Sequence, residues 1–276
     1  MKRCTLLTLL TIAAALLAGG CGRPHEGKVS KVPQRIVSLT PNNTEILFAL
    51  GLGDRVVGVT KWCDYPPEAR RKPKVGDVNI SLERVVGLRP DLVVAHSTLN
   101  REVIKRLKAL KIRVISTDPK TFADVMSDMR TIGAATGTSE QAARLVRSME
   151  ESIKAVRKRA AGRGRRRVLV VIQPSPLWVA GPQTFVDEMI RCANGENVAH
   201  SARPGFNPFS TESGIARNPD VIIVTRAEQK TFFEKSSLWK RTKAVREGRV
   251  VVIDPALLVR PGPRLVQGLE RLADAL

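Results

Sequence analysis

The sequence predicts an α/β protein with two similar lobes, each built on a parallel sheet, joined by one long rigid helix. Three observations indicate this class. Short, continuous apolar runs alternate with helical segments, which is typical of parallel strands covered on both faces. One helical pattern of about six turns divides these runs into two groups. A pattern from the first half of the chain also recurs in the second.

Eight apolar runs are predicted to form strands. They lie at 35–39, 56–59, 92–95 and 113–116 before the long helix, and at 168–172, 177–180, 221–224 and 250–253 after it. Shorter helices are predicted between the runs, at 44–50, 82–88, 101–110, 122–136, 185–192 and 265–276.

The long helix is predicted to begin at a capping box, in which the Thr138 hydroxyl accepts from the Gln141 amide and the Gln141 side chain reaches back. Apolar residues follow at helical spacing from Ala142 to Val156. No proline or glycine interrupts the helix before its predicted end at Ala161-Gly162, so we expect it to be stiff. The expected organisation is an N-terminal lobe at 35–137, the connecting helix at 138–162 and a C-terminal lobe at 163–276.

The internal repeat joins a short helix to a strand. Residues 82–94 align without gaps with residues 211–223 when Glu83 is placed on Glu212. Ser81 and Ser210 are the predicted N-caps, so each glutamate falls in a first helical turn, where the helix dipole favours a negative charge. A Pro-Asp pair and a strand then follow in both copies.

The N-terminus has the three parts of a secretory signal: Lys2 and Arg3, a short apolar stretch, and small residues that run directly into Cys21. The arrangement is similar to a bacterial lipoprotein box, in which the cysteine is acylated. We expect a lipoprotein signal peptide at 1–20, lipidation at Cys21 and a polar tether at 21–34. An ordinary cleaved signal peptide is the alternative.

The charge is strongly basic, with 46 Lys and Arg residues against 26 Asp and Glu, a formal net charge of +20. This balance makes a nucleic-acid or envelope-polymer binder an alternative function. The aromatic content of 4% argues against it, because few side chains are left to stack on bases. We therefore expect no nucleic-acid partner.

Catalytic and metal-binding motifs are absent from the sequence. It has no GxSxG, Walker, GxGxxG or HExxH motif, and no CxxC or HxxxH spacing that suits a metal. We expect a binding protein without a metal site and without enzymatic activity. Cys63 and Cys192 remain in the mature domain, and we expect both to be unpaired.

Four segments, in order along the chain, resemble the periplasmic binding proteins for cobalamin, haem and iron–siderophore complexes. They are 35–45, 57–67, 82–93 and 192–197. These proteins form the helical-backbone class of substrate-binding proteins of ABC importers. The resemblance covers 35–276 and is greatest to the cobalamin binders, chiefly through Trp62-Cys-Asp-Tyr-Pro-Pro67. It implies a monomer at the periplasmic face of the cell envelope, with an ABC permease and its ATPase as partners.

The resemblance also implies a ligand cleft between the lobes. Open α/β sheets bind ligands at the carboxyl ends of their strands, and Trp62 matches an aromatic cleft position of the cobalamin binders. Trp178 suits a core position equally well, whereas Trp239 is expected to pack against helices. The predicted ligand-binding residues are Thr40, Pro41, Asn42, Lys61, Trp62, His96, Ser97, Gln173, Trp178, Phe206 and Arg260.

Cobalamin or a related corrinoid is the ligand that the resemblance favours, as cargo and not as a cofactor of the protein. Haem-binding relatives use a tyrosine as iron ligand, but Tyr65 is the one tyrosine here and stands beside two prolines. His96 is its sole plausible replacement. Ferric siderophores, which are anionic and would suit Lys61 and Arg260, are the main alternative.

The resemblance also implies a role for Glu83 and Glu212. The family uses one surface glutamate on each lobe to dock onto arginines of the permease, and both positions match here. Stabilisation of the two helix N-termini by a carboxylate is the alternative explanation.

Overall fold

The computed structural model describes residues 32–276. The predicted signal peptide, Cys21 and most of the tether lie outside the described residues. Within the described part, no helix is both long enough and apolar enough to cross a membrane.

The first lobe is built on a four-stranded parallel sheet with the order β2-β1-β3-β4. Its strands are β1 (Ile36–Ser38), β2 (Val56–Val59), β3 (Leu92–His96) and β4 (Val114–Thr117). Its helices are α1 (Pro41–Ala49), α2 (Leu82–Gly87), α3 (Arg101–Ala109) and α4 (Phe122–Thr136). All residues of β1 are buried. Because neither face of this strand is exposed to solvent, its sequence does not alternate between apolar and polar residues.

The second lobe has a six-stranded sheet with the order β10-β9-β5-β6-β8, and β7 pairs beside β5. Its strands are β5 (Arg166–Pro174), β6 (Leu177–Ala180), β7 (Gly195–Asn197), β8 (Phe206–Pro208), β9 (Val221–Val224) and β10 (Val250–Val252). Its helices are α6 (Phe185–Cys192), α7 (Thr211–Ala216), α8 (Ala227–Lys235), α9 (Lys243–Arg246), α10 (Pro255–Leu258) and α11 (Leu265–Ala275).

The centre of this second sheet is parallel, as predicted, because β10, β9 and β5 run in the same direction. A hairpin adds antiparallel pairing at one side, where β6 pairs with β5 and β8 pairs with β6. Only Ser175 and Pro176 separate β5 from β6, and so short a connection permits no parallel crossover. The short strands β7 and β8 were not predicted.

The long helix α5 (Ser139–Ala160) runs for 22 residues, about 33 Å. Its buried stripe, which packs against the common core, consists of Ala142, Val146, Met149, Ile153, Val156 and Ala160. The capping box predicted at its start is wrong. The Thr138 side chain caps no helix amide, and its hydroxyl lies 2.9 Å from that of Thr136 instead.

The physical reason is the short link between the two helices. Helix α4 ends at Gly137, which has a left-handed φ of 72°, so Thr138 belongs to a tight turn and not to an open N-terminus. The capping box lies at the start of α4, where the Thr121 hydroxyl accepts from the Asp124 amide and the Asp124 carboxylate accepts from the Thr121 amide.

The internal repeat has the same structure in both lobes. The Ser81 and Ser210 hydroxyls each accept a first-turn amide, as predicted, at 3.3 and 3.1 Å. The aspartate of each Pro-Asp pair then binds the backbone of the first strand of its own sheet. Asp91 accepts from the Arg35 amide at 2.9 Å, and Asp220 from the Arg167 amide at 2.8 Å.

The predictions that two cysteines are unpaired and that Trp239 packs against helices are confirmed. Cys63 and Cys192 are both free and buried. Trp239 is buried, with its ring 4.8 Å from that of Phe233 on α8.

Candidate ligand cleft

A cavity of about 920 Å³ lies between the two lobes, a volume suited to a large organic ligand. Its wall is mostly apolar. From the first lobe it is lined by Thr40, Pro41, Asn42, His96, Thr98, Leu99, Pro119, Lys120 and Thr121. From the second lobe it is lined by Gln183, Thr184, Phe185, Arg191, Pro204, Gly205, Phe206, Val259, Arg260 and Pro261.

Six of the predicted ligand-binding residues line this cavity: Thr40, Pro41, Asn42, His96, Phe206 and Arg260. Five do not: Lys61, Trp62, Ser97, Gln173 and Trp178. Trp62 is exposed, and the Lys61 ammonium lies 4.9 Å above its ring while pairing with Asp77 at 2.7 Å. Trp178, which the sequence assigned equally to core or cleft, is more than a third exposed on β6.

Other lining residues were missed, for two different reasons. Pro119, Lys120 and Thr121 follow the carboxyl end of β4, so the rule for carboxyl ends of strands applies to them as well. Gln183 to Phe185 follow β6, which runs antiparallel to β5, so they lie at the edge opposite to the carboxyl end of β5. In this lobe the rule points to Gln173, which does not line the cavity, and it does not predict Gln183 to Phe185.

His96 lies at the carboxyl end of β3 with both ring nitrogens engaged. Its Nδ1 accepts the backbone amides of Thr98 and Leu99 at 3.3 and 3.4 Å. The proton is therefore on Nε2, which lies 3.3 Å from Asp118 Oδ1 and donates to it. Burial lowers the pKa of His96, because the charged imidazolium is poorly solvated there. The ring is thus neutral and held in place.

Asp118 is the partner that orients His96. Burial raises the pKa of this carboxyl, but hydrogen bonds from Lys120 Nζ at 2.6 Å and from the Thr98 hydroxyl at 3.0 Å outweigh it. The net result is a lowered pKa, so the carboxylate is charged at neutral pH.

Two arginines of the second lobe reach across to the first. Arg264 donates to both carboxylate oxygens of Glu45 on α1, at 2.6 and 2.9 Å, and its guanidinium stacks 3.8 Å above the Tyr65 ring. Arg260 donates to Asp64 at 2.5 Å. The hydrogen bond from Arg260 lowers the pKa of Asp64. Part of the Trp62-to-Pro67 motif therefore connects the lobes.

The two repeat glutamates, Glu83 and Glu212, are both exposed in first helical turns. The Ser210 hydroxyl donates to Glu212 Oε2 at 2.8 Å. Hydrogen bonds, first from its own backbone and then from Ser210, lower the pKa of Glu212.

Two α/β lobes connected by one long helix, with a ligand-sized cleft between them, define a solute-binding protein. The family model described as "Periplasmic binding protein" matches residues 36–257. The chain belongs to this family, whose members bind solutes and are not enzymes.

Known relatives narrow this class to the substrate-binding proteins of ABC transporters. The ABC transporter substrate-binding lipoprotein YvrC of Bacillus subtilis is 35% identical, over 100% of this chain and 97% of its own length. The vitamin B12-binding protein of Pectobacterium carotovorum is 28% identical over 89% of both chains. The solved haem-binding protein RhuT of Roseiflexus sp. RS-1 is 32% identical, with a TM-score of 0.79 over 88% of this chain and 97% of its own.

Proposed function

We propose that this ABC-importer binding protein captures cobalamin or a related corrinoid and delivers it to the permease. One observation carries the choice of ligand: the cleft offers no free side chain that could ligate a metal. Among its described lining residues none is Tyr, Cys, Met, Asp or Glu, and both nitrogens of His96 are engaged. A complete corrinoid suits such a cleft because it carries an axial ligand of its own, whereas haem depends on the protein for one.

The shape and surface of the cleft support the same ligand. Phe185 and Phe206, with ring centroids 5.9 Å apart, provide apolar contact area for a large ring system. Asn42 and Gln183 add polar groups that can hydrogen-bond the amide substituents at the edge of a corrin.

An anionic ferric siderophore is the second candidate. Lys120, Arg191 and Arg260 line the cleft, and each is paired with a carboxylate outside the lining: Asp118, Asp187 and Asp64. The three basic side chains favour an anionic chelate, which would share them with these carboxylates. Haem is a third possibility through the relative RhuT, although the cleft lacks the free ligand that iron would need.

Delivery requires contact with the permease, and we assign it to Glu83 and Glu212. Their exposure, and their equivalent positions on the two lobes, suit a partner with two-fold symmetry. We further propose that the protein acts as a monomer and that lipidation at Cys21 holds it at the periplasmic face of the envelope.

The experiment that tests the ligand is calorimetric titration with cyanocobalamin, haem and several ferric siderophores. We expect cyanocobalamin to bind most tightly. The variant Phe206→Ala should weaken binding, whereas the matched control Phe232→Ala, on α8 and outside the cleft lining, should not. Binding of a siderophore without any response to cyanocobalamin would overturn the proposal.

A further inference from the structure

The first turn of α1 forms part of the cleft wall and contains polar groups without partners. Thr40 is the N-cap and lines the cleft with Pro41 and Asn42. The Thr40 hydroxyl caps no helix amide and has no hydrogen-bond partner, although the residue is only 5% exposed. The side-chain amide nitrogen of fully buried Asn43 also lacks a partner. Buried polar groups are nearly always paired, so two exceptions in one helical turn need an explanation.

The backbone of this turn offers further donors. Pro41 occupies the first helical position and has no N–H, so the amides of Asn42 and Asn43 are the first donors of the helix. Of these two residues, Asn42 lines the cleft, whereas Asn43 is fully buried. The helix dipole makes this end positive, and helix N-termini of this kind bind acidic oxygens. Donors and positive potential therefore coincide at one point of the cleft wall.

The surroundings offer the donors of this turn no other partner. Arg260 lines the same cleft but is already paired, with Asp64 at 2.5 Å and with Glu45 at 3.6 Å. The described lining residues provide no carboxylate that could take up the free donors of the first turn. The donors are thus left for the ligand.

We propose that the first turn of α1 binds an acidic oxygen group of the ligand, with the Thr40 hydroxyl and the Asn42 amide as donors. The inference rests on the proposed function, and for a corrinoid the group is the phosphodiester of its nucleotide loop. The protein then distinguishes complete cobalamin from precursors that lack this loop.

The proposal is tested by comparing the affinities of two variants and the wild type for two ligands. Thr40→Val keeps the size of the side chain and removes the hydroxyl. It should weaken the binding of cyanocobalamin by about 10- to 150-fold, the usual contribution of a hydrogen bond to a charged group, but leave the binding of cobinamide, which has no phosphodiester, nearly unchanged. The control Thr98→Val removes a cleft hydroxyl that is already bonded to Asp118, and should affect both ligands equally. Equal effects of Thr40→Val on both ligands would overturn the inference.

A second pair of ligands tests the site at the first turn of α1 independently of whether the ligand is a corrinoid. If neither corrinoid binds, the same comparison is made with haem and haem dimethyl ester, whose carboxylates are blocked. A loss confined to haem would support the acid site while refuting the corrinoid.

If none of the four binds, inorganic phosphate is titrated and the Asn42 and Asn43 amides are followed by NMR. Shifts in the wild type that are reduced in Thr40→Val support the site, and unchanged amides overturn it. A thermal melt of Thr40→Val verifies that it is folded.

Discussion

Asp128 on α4 is a half-buried carboxyl whose charged form lowers the stability of the folded state. One of its oxygens is buried without a hydrogen-bond partner, and Asp124 and Asp118 lie near it. Burial, followed by repulsion from these two carboxylates, raises its pKa to about 7. Because the folded state holds this proton more tightly than the unfolded chain, its contribution to stability is lost as the pH rises from about 4 through 7.

We therefore predict that Asp128→Asn is more stable than the wild type at pH 8, and that the advantage shrinks by pH 5. At pH 8 the wild type must carry a poorly solvated charge that the variant lacks. Melting temperatures of both proteins at the two pH values measure this. Glu140→Gln, which removes an exposed carboxylate from α5, is the control and should show no such dependence. An advantage of the same size at both pH values would contradict the assignment.

At the scale of secondary-structure elements, the start of α4 can be compared directly with the start of α5. The sequence predicted a capping box at Thr138 and Gln141, whereas the structure has one at Thr121 and Asp124. Both helix starts carry a threonine followed three residues later by a side chain able to reach back. What differs is the turn at Gly137, which ties Thr138 to the end of α4.

The difference has a measurable consequence. Asp124→Ala should lower the free energy of unfolding by about 1 kcal/mol, because its carboxylate accepts the amides of Lys120 and Thr121. Gln141→Ala should change it by less than about 0.5 kcal/mol, as is usual at an exposed site. Urea denaturation of both variants provides the test. Equal losses would mean that Gln141 supports a helix start after all.

At the scale of the whole molecule, the lobes are connected by more than the long helix. Arg264 with Glu45, and Arg260 with Asp64, bind the segment after α10 to the first lobe. Glu188 on α6 also accepts the Phe122 amide at 2.8 Å, at the start of α4. These contacts leave little freedom for a hinge.

We predict that ligand binding moves the lobes very little. Solution X-ray scattering profiles recorded with and without cyanocobalamin should nearly superimpose, since α5 is continuous and the arginine contacts oppose opening. A clear contraction on binding, like that of a hinged clamshell, would contradict this.

Docking to the permease is the second prediction at this scale. Glu83→Ala and Glu212→Ala should each reduce uptake while leaving ligand affinity intact, because loss of one partner of an interfacial ion pair costs about 2–5 kcal/mol of binding. Loss of either exposed first-turn carboxylate should cost little in folding, because its interaction with the helix dipole is screened by solvent. The double variant should transport least. Normal uptake by the double variant, with only a slightly lower melting temperature, would leave both glutamates as residues that stabilise helix ends.

The sequence by itself determined the elements that depend on local pattern. Buried parallel strands appear as continuous apolar runs, which explains seven of the eight predicted strands, all of which are present. The eighth, β6, is present but antiparallel. The stripe from Ala142 to Val156 gave the long helix, and the repeat gave the serine caps at Ser81 and Ser210. Residues 35–45 and 57–67, with two shorter segments, indicated the family.

Only the tertiary structure decided which strand ends meet across the cleft. Trp62 follows β2 at the edge of its sheet and is exposed, whereas Thr121 and Phe185, which the sequence did not single out, line the cavity. Arg264 and Glu45 are 219 residues apart in the chain and form a partly buried pair that connects the lobes. Such contacts depend on how the two lobes pack together, and the periodicity of neighbouring residues carries no information about distances across that interface.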